Sequence, residues 1–136
     1  MVSRQTIVDT ARQYINTPFH HQGRVKGVGI DCVGLLICIA RDLEIEHYDV
    51  QGYARVPSGD TFEKHILGNG LTEIPEIEVG AVLLMSFDSD PQHVAVCSTE
   101  NSIIHAYYNV RKCVEHDLDE SWRAKIKKIY RFKDVE

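Results

Sequence analysis

Cys32 follows Asp31 directly and leads into the apolar run Val33-Gly34-Leu35-Leu36-Ile37-Cys38. An acidic residue ahead of apolar positions at helical spacing reads as a helix N-cap, which puts the thiol in the first turn. Unpaired backbone N–H groups and the positive end of the helix dipole stabilise negative charge at that place. A free thiol has a pKa of about 8.5, and a helix N-terminus or a nearby imidazolium lowers it to about 3.5–7.5. The thiolate is the nucleophile, so covalent acyl transfer is the chemistry that suits this position. The plain alternative is a small buried hydrophobe, as most free cysteines are.

A thiol nucleophile needs a base within hydrogen-bond reach, and the base needs a third group to orient it. His93 opens the run His93-Val94-Ala95-Val96-Cys97, directly after the turn residues Asp88-Ser89-Asp90-Pro91. Strand alternation puts His93, Ala95 and Cys97 on one face. His105 sits in the next strand, Ser102-Ile103-Ile104-His105-Ala106-Tyr107. A hairpin about Glu100-Asn101 brings His105 near Val96 or Ala95, within one or two residues of His93 along the ladder. Taken singly, each histidine reads as a surface or satisfied core residue. His47, His65 and His116 lie in polar surroundings and are assigned to solvent, whereas His20 and His21 share the glycine-bearing loop that leads to Cys32.

The elements that must position these groups can be read from periodicity. Ser3 caps a helix over residues 4–15, with Ile7, Val8, Ala11, Tyr14 and Ile15 on one face, and Asn16-Thr17-Pro18 ends it. Residues 19–29 form a long loop. The helix from Cys32 to Leu43 is apolar almost all round and is expected to be central and buried. Residues 44–60 read as irregular, followed by a short helix from Asp60 to Leu67 that ends at Gly68-Asn69-Gly70. From Pro75 onward the period is that of strands. These run over 80–87, 93–97, 102–107, 110–115 and 128–132, with a short Asp119-capped helix carrying Trp122 before the last. Helices first and strands afterwards predict an α+β domain built on an antiparallel meander.

The chain of 136 residues fits a single domain, 1–136, and is long enough for a core without staples. Its net charge of −5 argues against a nucleic-acid binder. No apolar run reaches the roughly 18–20 residues needed to span a bilayer, so no membrane partner is expected. The opening residues Met1 to Thr6 lack the basic and apolar regions of a secretion signal. The expectation is synthesis in the cytoplasm, with any exit by another route. The cysteines (Cys32, Cys38, Cys97 and Cys113) form no C-x-x-C pair and are expected to be free thiols.

Four motifs in order carry a resemblance to a known family: Gly29-Ile30-Asp31-Cys32-Val33-Gly34-Leu35, Val79-Gly80-Ala81-Val82-Leu83, Gln92-His93-Val94-Ala95-Val96 and Ile104-His105-Ala106. Together they resemble the NlpC/P60 cysteine peptidases over nearly the whole chain. Residues 17–23 and 114–123 are similar to the branch found as phage and prophage tail-associated cell-wall peptidases. The resemblance implies a papain-like α+β fold with the nucleophile helix packed on a central antiparallel sheet. It implies Cys32 as nucleophile, His93 as base and His105 as the polar residue that orients it. It also implies hydrolysis of an amide in the peptidoglycan stem peptide, between γ-D-glutamate and diaminopimelate or lysine, without metal or organic cofactor. Phage tail proteins are the implied partners, and the cell wall the implied place of action. Many family members carry a tyrosine about a dozen residues before the nucleophile, and His21 aligns nearest to it. His21 or Gln22 then supplies an oxyanion donor beside the Cys32 backbone N–H, with Asp31 completing the oxyanion and substrate-binding group.

Three other readings compete. One is a zinc module of Cys32, His93 and His105, which lacks a fourth ligand nearby. A second is a tail-assembly protein that keeps the fold without the activity. The third is a thiol amidase or acyltransferase on another substrate, since a triad reports acyl transfer and not the acyl donor.

Overall fold

The computed structural model describes residues 2–45, 70–87, 93–133 and 135–136. Helix α1 spans Arg4–Arg12. The Ser3 hydroxyl accepts from the Thr6 backbone N–H at 3.1 Å, satisfying one of the orphan donors of the first turn. Ile7, Val8, Ala11 and Tyr14 are buried on one face. The helix stops before Tyr14 and Ile15, short of the expected end. The chain turns through Asn16 at φ 74°, and the Asn16 N–H donates to the Cys113 carbonyl at 2.8 Å. The Gln13, Tyr14 and Ile15 N–H groups bond three residues back, so the last turn tightens and the tertiary bond from Asn16 holds its end.

The loop that follows is more ordered than its glycines suggest. Strands β1 (Arg24–Val25) and β2 (Gly29–Ile30) pair antiparallel as a short ribbon and deliver the chain to helix α2, Cys32–Asp42. The ribbon lies against the first turn of α2. A Cβ on Gly34 would sit 2.2 Å from the Gly23 carbonyl oxygen, so only glycine permits that approach. Every residue of α2 from Val33 to Ala40 is buried, as the all-round apolar pattern predicts.

Six strands make the main sheet: β3 (Leu71–Ile74), β4 (Val82–Met85), β5 (His93–Thr99), β6 (Ser102–Tyr107), β7 (Lys112–Asp117) and β8 (Ile126–Phe132). Their order is β3-β8-β4-β5-β6-β7, and every pairing is antiparallel. Strands β4 to β7 form the expected meander. β8 departs from it, because it returns to pair with β4 and separates that strand from β3. β3 lies at the sheet edge and is only half-buried; its Leu-Thr-Glu-Ile sequence carries too weak an apolar signal to read as a strand.

The sheet has two buried faces. Val82, Leu84, Val94, Val96, Ile104 and Ala106 pack with α1 and α2 in the larger core. Leu83, Met85, Ala95, Cys97 and Ile103 pack on the other side with Leu118 and Trp122. Helix α3, Glu120–Arg123, covers this second face, and Asp119 caps it by accepting from the Trp122 N–H at 3.0 Å. Burying each large apolar side chain is worth about 1.5–3 kcal/mol, so the two cores hold the sheet from both sides. Glu78 ties β8 to α1 through Arg131, at 2.7 and 2.9 Å, and Arg4, at 3.2 Å. No described helix is long and apolar enough to cross a membrane. The short helix expected from Asp60 to Leu67, the turn 88–91, His47 and His65 lie outside the described residues.

Gly34→Ala should lower stability by about 1–3 kcal/mol through overpacking against the ribbon. Gly27 has φ 74° but open space around its Cα, so Gly27→Ala should cost only about 1–2 kcal/mol of backbone strain. Urea denaturation of both variants checks the difference, and only Gly34→Ala should also disturb the α2 N-terminus.

Candidate active site

Asp31 is buried, and its carboxylate binds several donors at once. It accepts from the Gly34 N–H at 2.7 Å, the Gln22 N–H at 2.8 Å and the Arg24 guanidinium at 3.1 Å. The first is the N-cap bond that starts α2, and the other two fasten the preceding loop. His21 adds its Nδ1 at 4.0 Å from the same carboxylate. The Gln22 side-chain amide faces the His21 Nε2 at 3.3 Å. Gln22 itself stands at φ 60°, a left-handed position that non-glycine residues rarely take. The three residues expected at the oxyanion and substrate-binding position therefore form one connected group at the start of α2.

Cys32 follows the cap and is half-buried. The backbone N–H groups of Val94 and Val33 lie near its sulfur and favour the thiolate. Burial outweighs them. It pushes the thiol up to about 12, and the neighbouring Asp31 charge adds to the rise. The lowered thiol pKa expected from the helix N-terminus is thus corrected: the resting group is a neutral thiol. The carboxylate that starts the helix also opposes charge on the residue after it.

His93 and His105 meet as the hairpin predicts. β5 and β6 pair with Val96 opposite Ile104 and Cys97 opposite Ile103, which carries His105 opposite Ala95. The His93 Nε2 and His105 Nδ1 lie 2.6 Å apart, with the two rings nearly edge to face. Both are buried. Burial lowers His93 to about 3. His105 falls to about 2, chiefly by burial and further by the neighbouring His93 and His116 rings. Both rings are therefore neutral near pH 7.

The histidines share the face of Ala95 and Cys97, away from α2, whereas Val94 faces the α2 side. Cys32 meets β5 at its first residues, through the Val94 N–H. No hydrogen bond joins Cys32 to His93 in this structure. Catalytic hydrogen bonds are often long before substrate arrives and tighten in the Michaelis complex.

His116, assigned from its sequence surroundings to solvent, belongs to this group. It is half-buried, its Nε2 lies 2.8 Å from the His105 Nε2, and its Nδ1 donates to the Asp117 carbonyl at 2.9 Å. Ile103 opposes His116 across β6 and β7, so His105 and His116 are diagonal neighbours on one face. Strand parity across a turn at 108–111 was the signal for it. Phe87, Tyr107 and Trp122 enclose the rings, with Tyr107 stacked on His105 at 5.1 Å. Both His105 nitrogens are taken by other histidines, which does not suit a zinc site of Cys32, His93 and His105. Among the described residues no group of three or more His, Cys, Asp or Glu is arranged to hold a metal ion.

No protein-family model and no curated protein sequence matches the chain. Solved structures do. The chain is similar to an NlpC/P60 family protein from Bacillus cereus, at 17% identity and TM-score 0.71, over 95% of this chain and 40% of that one. It is similar to the NlpC/P60 domain of the peptidoglycan hydrolase SagA, at 20% identity and TM-score 0.65, over 94% of this chain and 97% of that one. A third likeness is to the P60 domain of an antigen from M. avium subspecies paratuberculosis, at 14% identity and TM-score 0.65, over 98% and 95%. The chain thus spans about 40% of the length of the Bacillus protein and nearly all of the two domains. The fold is the α+β fold of NlpC/P60 proteins.

Asp31→Asn removes the charge that opposes the thiolate, so the Cys32 pKa should fall. The rate of Cys32 alkylation at a fixed pH of about 8, followed by mass spectrometry, should rise, while loss of the Arg24 ion pair lowers the melting temperature. Buried neutral histidines also set an acid sensitivity. Between the ordinary histidine value of 6.5 and about 3, the unfolded chain binds a proton that native His93 refuses. Stability should therefore fall as pH drops below 6.5, by up to about 1.4 kcal/mol per pH unit for each such ring. Denaturation at several pH values should show this slope, and His105→Gln should flatten it.

Proposed function

We propose that this protein is a cysteine peptidase that cleaves amide bonds in peptidoglycan stem peptides, with Cys32 as nucleophile, His93 as general base and His105 as its orienting partner. The observation that carries this reading is the meeting, within an NlpC/P60 fold, of an N-capped thiol with the strand whose first residue is a buried, hydrogen-bonded histidine. The SagA relative of that fold is described as a peptidoglycan hydrolase.

In this mechanism His93 takes the Cys32 proton as sulfur attacks the scissile carbonyl, because the resting thiol is neutral. The cationic ring and the anion then form together. The Cys32 backbone N–H and a donor from the His21–Gln22 group stabilise the oxyanion, a type of contact worth about 10²–10³ in rate. His93 passes its proton to the leaving amine. Water, deprotonated by His93, attacks the thioester, and the acid leaves as the thiol is restored.

The bond we assign is γ-D-glutamyl to diaminopimelate or lysine. We further assign the protein to a phage or prophage tail, made in the cytoplasm and carried to the wall with the tail. Both assignments rest on the sequence resemblance at residues 17–23 and 114–123 and on the four motifs. A second reading, a tail-assembly protein that keeps the fold, draws support from the high thiol pKa and the unmade Cys32–His93 bond.

Incubation with defined γ-D-glutamyl–diaminopimelate peptides should give cleavage products by the parent and none by Cys32→Ala. His93→Ala should lose more turnover than His105→Ala, because an orienting group is partly replaceable. Equal cleavage by Cys32→Ala would sink the proposal. No cleavage by the parent, with Cys32 inert to alkylation, would favour the assembly reading.

A further inference from the structure

We propose that His116 is a positioning residue that fixes which nitrogen of His93 carries its proton, acting through His105. For its catalytic consequence this rests on the peptidase reading; the proton order itself does not.

The argument runs inward from one carbonyl oxygen. The His116 Nδ1 sits 2.9 Å from the Asp117 carbonyl oxygen, which has lone pairs and no hydrogen to give. Nδ1 must therefore hold the proton. In its neutral form the ring carries this one N–H, and its Nε2 is then an acceptor. Its 2.8 Å partner, the His105 Nε2, must then be the donor. That leaves the His105 Nδ1 bare, and the 2.6 Å contact requires the His93 Nε2 to donate. The His93 Nδ1 is left with its lone pair, the form a general base needs. With one proton per ring, reversing a single link would set two N–H groups, or two lone pairs, face to face at hydrogen-bond distance; only a second proton on His116 would turn the two inner links round together.

The surroundings hold the last ring in place. Trp122 packs against His116 at 5.0 Å and stands edge-on to His105 at 5.1 Å. Asp119 fixes the short helix that carries Trp122. β7 sets the backbone of His116 against Ile103 of β6. The burial of His93 and His105, which keeps both rings neutral, is consistent with a single proton per ring.

The test needs no substrate at its first step. Imidazole ¹⁵N spectra of the full chain above the ordinary histidine range, at about pH 8.5, should show His93 and His105 protonated on Nε2 and His116 on Nδ1. His116→Ala removes the acceptor and should mix the His105 and His93 tautomers. His116→Gln offers a carboxamide oxygen in its place and should restore the parental order. His116→Lys can only donate, so it should drive the proton to Nδ1 on both inner rings and block the base.

Turnover should follow the tautomers, with KM little changed. The expected fall in kcat is about tenfold for His116→Ala, largely regained in His116→Gln, and at least about 100-fold for His116→Lys. An imidazole held in the wrong tautomer in a related triad costs about 10⁴. A purely structural role would move stability in all three variants without this order. A His93 protonated on Nδ1 in the parent, or parental tautomers in both His116→Ala and His116→Lys, would overturn the proposal. Should no stem peptide be cleaved, the spectra still decide the proton order, and only the peptidase reading falls.

Discussion

A buried carboxylate must have its lone pairs satisfied, and the structure around Asp31 is arranged to do so. The α2 N-terminus, the Gln22 backbone and the Arg24 side chain all converge on two oxygen atoms. Leaving such a charge unpaired would cost several kcal/mol. The carboxylate therefore locks the ribbon, the loop before it and the first turn of α2 into one unit, and Cys32 inherits its place from that lock. The Gly23 and Gly34 contact is the steric side of the same requirement. A bulkier residue at either position would push the donors away from the acid.

The lock has an electrostatic consequence. Asp31 lies close enough to Cys32 to oppose its ionisation, and burial opposes it more strongly. Two backbone N–H groups at the sulfur offset part of this. The Cys32 thiol and the His93 and His105 rings thus stay uncharged until the base acts, which avoids a buried thiolate–imidazolium pair at rest. Uncharged inner rings make the placement of each proton matter. With no charge on His93 or His105 to order the rings, hydrogen-bond directions do so, from the Asp117 carbonyl through His116 and His105 to His93.

The two faces of the sheet divide the labour. One buries the helix that presents the thiol, and the other encloses the histidines among Phe87, Tyr107 and Trp122. They meet at the start of β5, where His93 and Val94 point to opposite sides. Adjacent residues of a single strand can thus serve both halves of the site. The His93 ring joins the histidine chain, while the Val94 N–H lies near the sulfur and favours its charged form.

Local signals in the sequence were enough for α2 and its cap, for the strands from β4 to β7, and for the pairing of His93 with His105. Each depends on neighbours within a few residues: a capping acid, a helical or alternating period, a short turn. The ribbon at β1 and β2, the edge strand β3 and the insertion of β8 beside β4 were not legible, because short or mixed strands carry little period and strand order leaves none. His116 was missed for a related reason. Its polar neighbours look solvent-facing along the chain, and only the β6–β7 register turns its ring onto His105. The thiol pKa was read from the helix dipole, a local effect, while the enclosing protein and Asp31 set it. The sequence by itself determined which residues could react and which elements would carry them, since those follow from residue type and spacing. The tertiary structure alone decided their protonation and the length of the histidine chain, because burial and cross-strand register are properties of distant segments brought together.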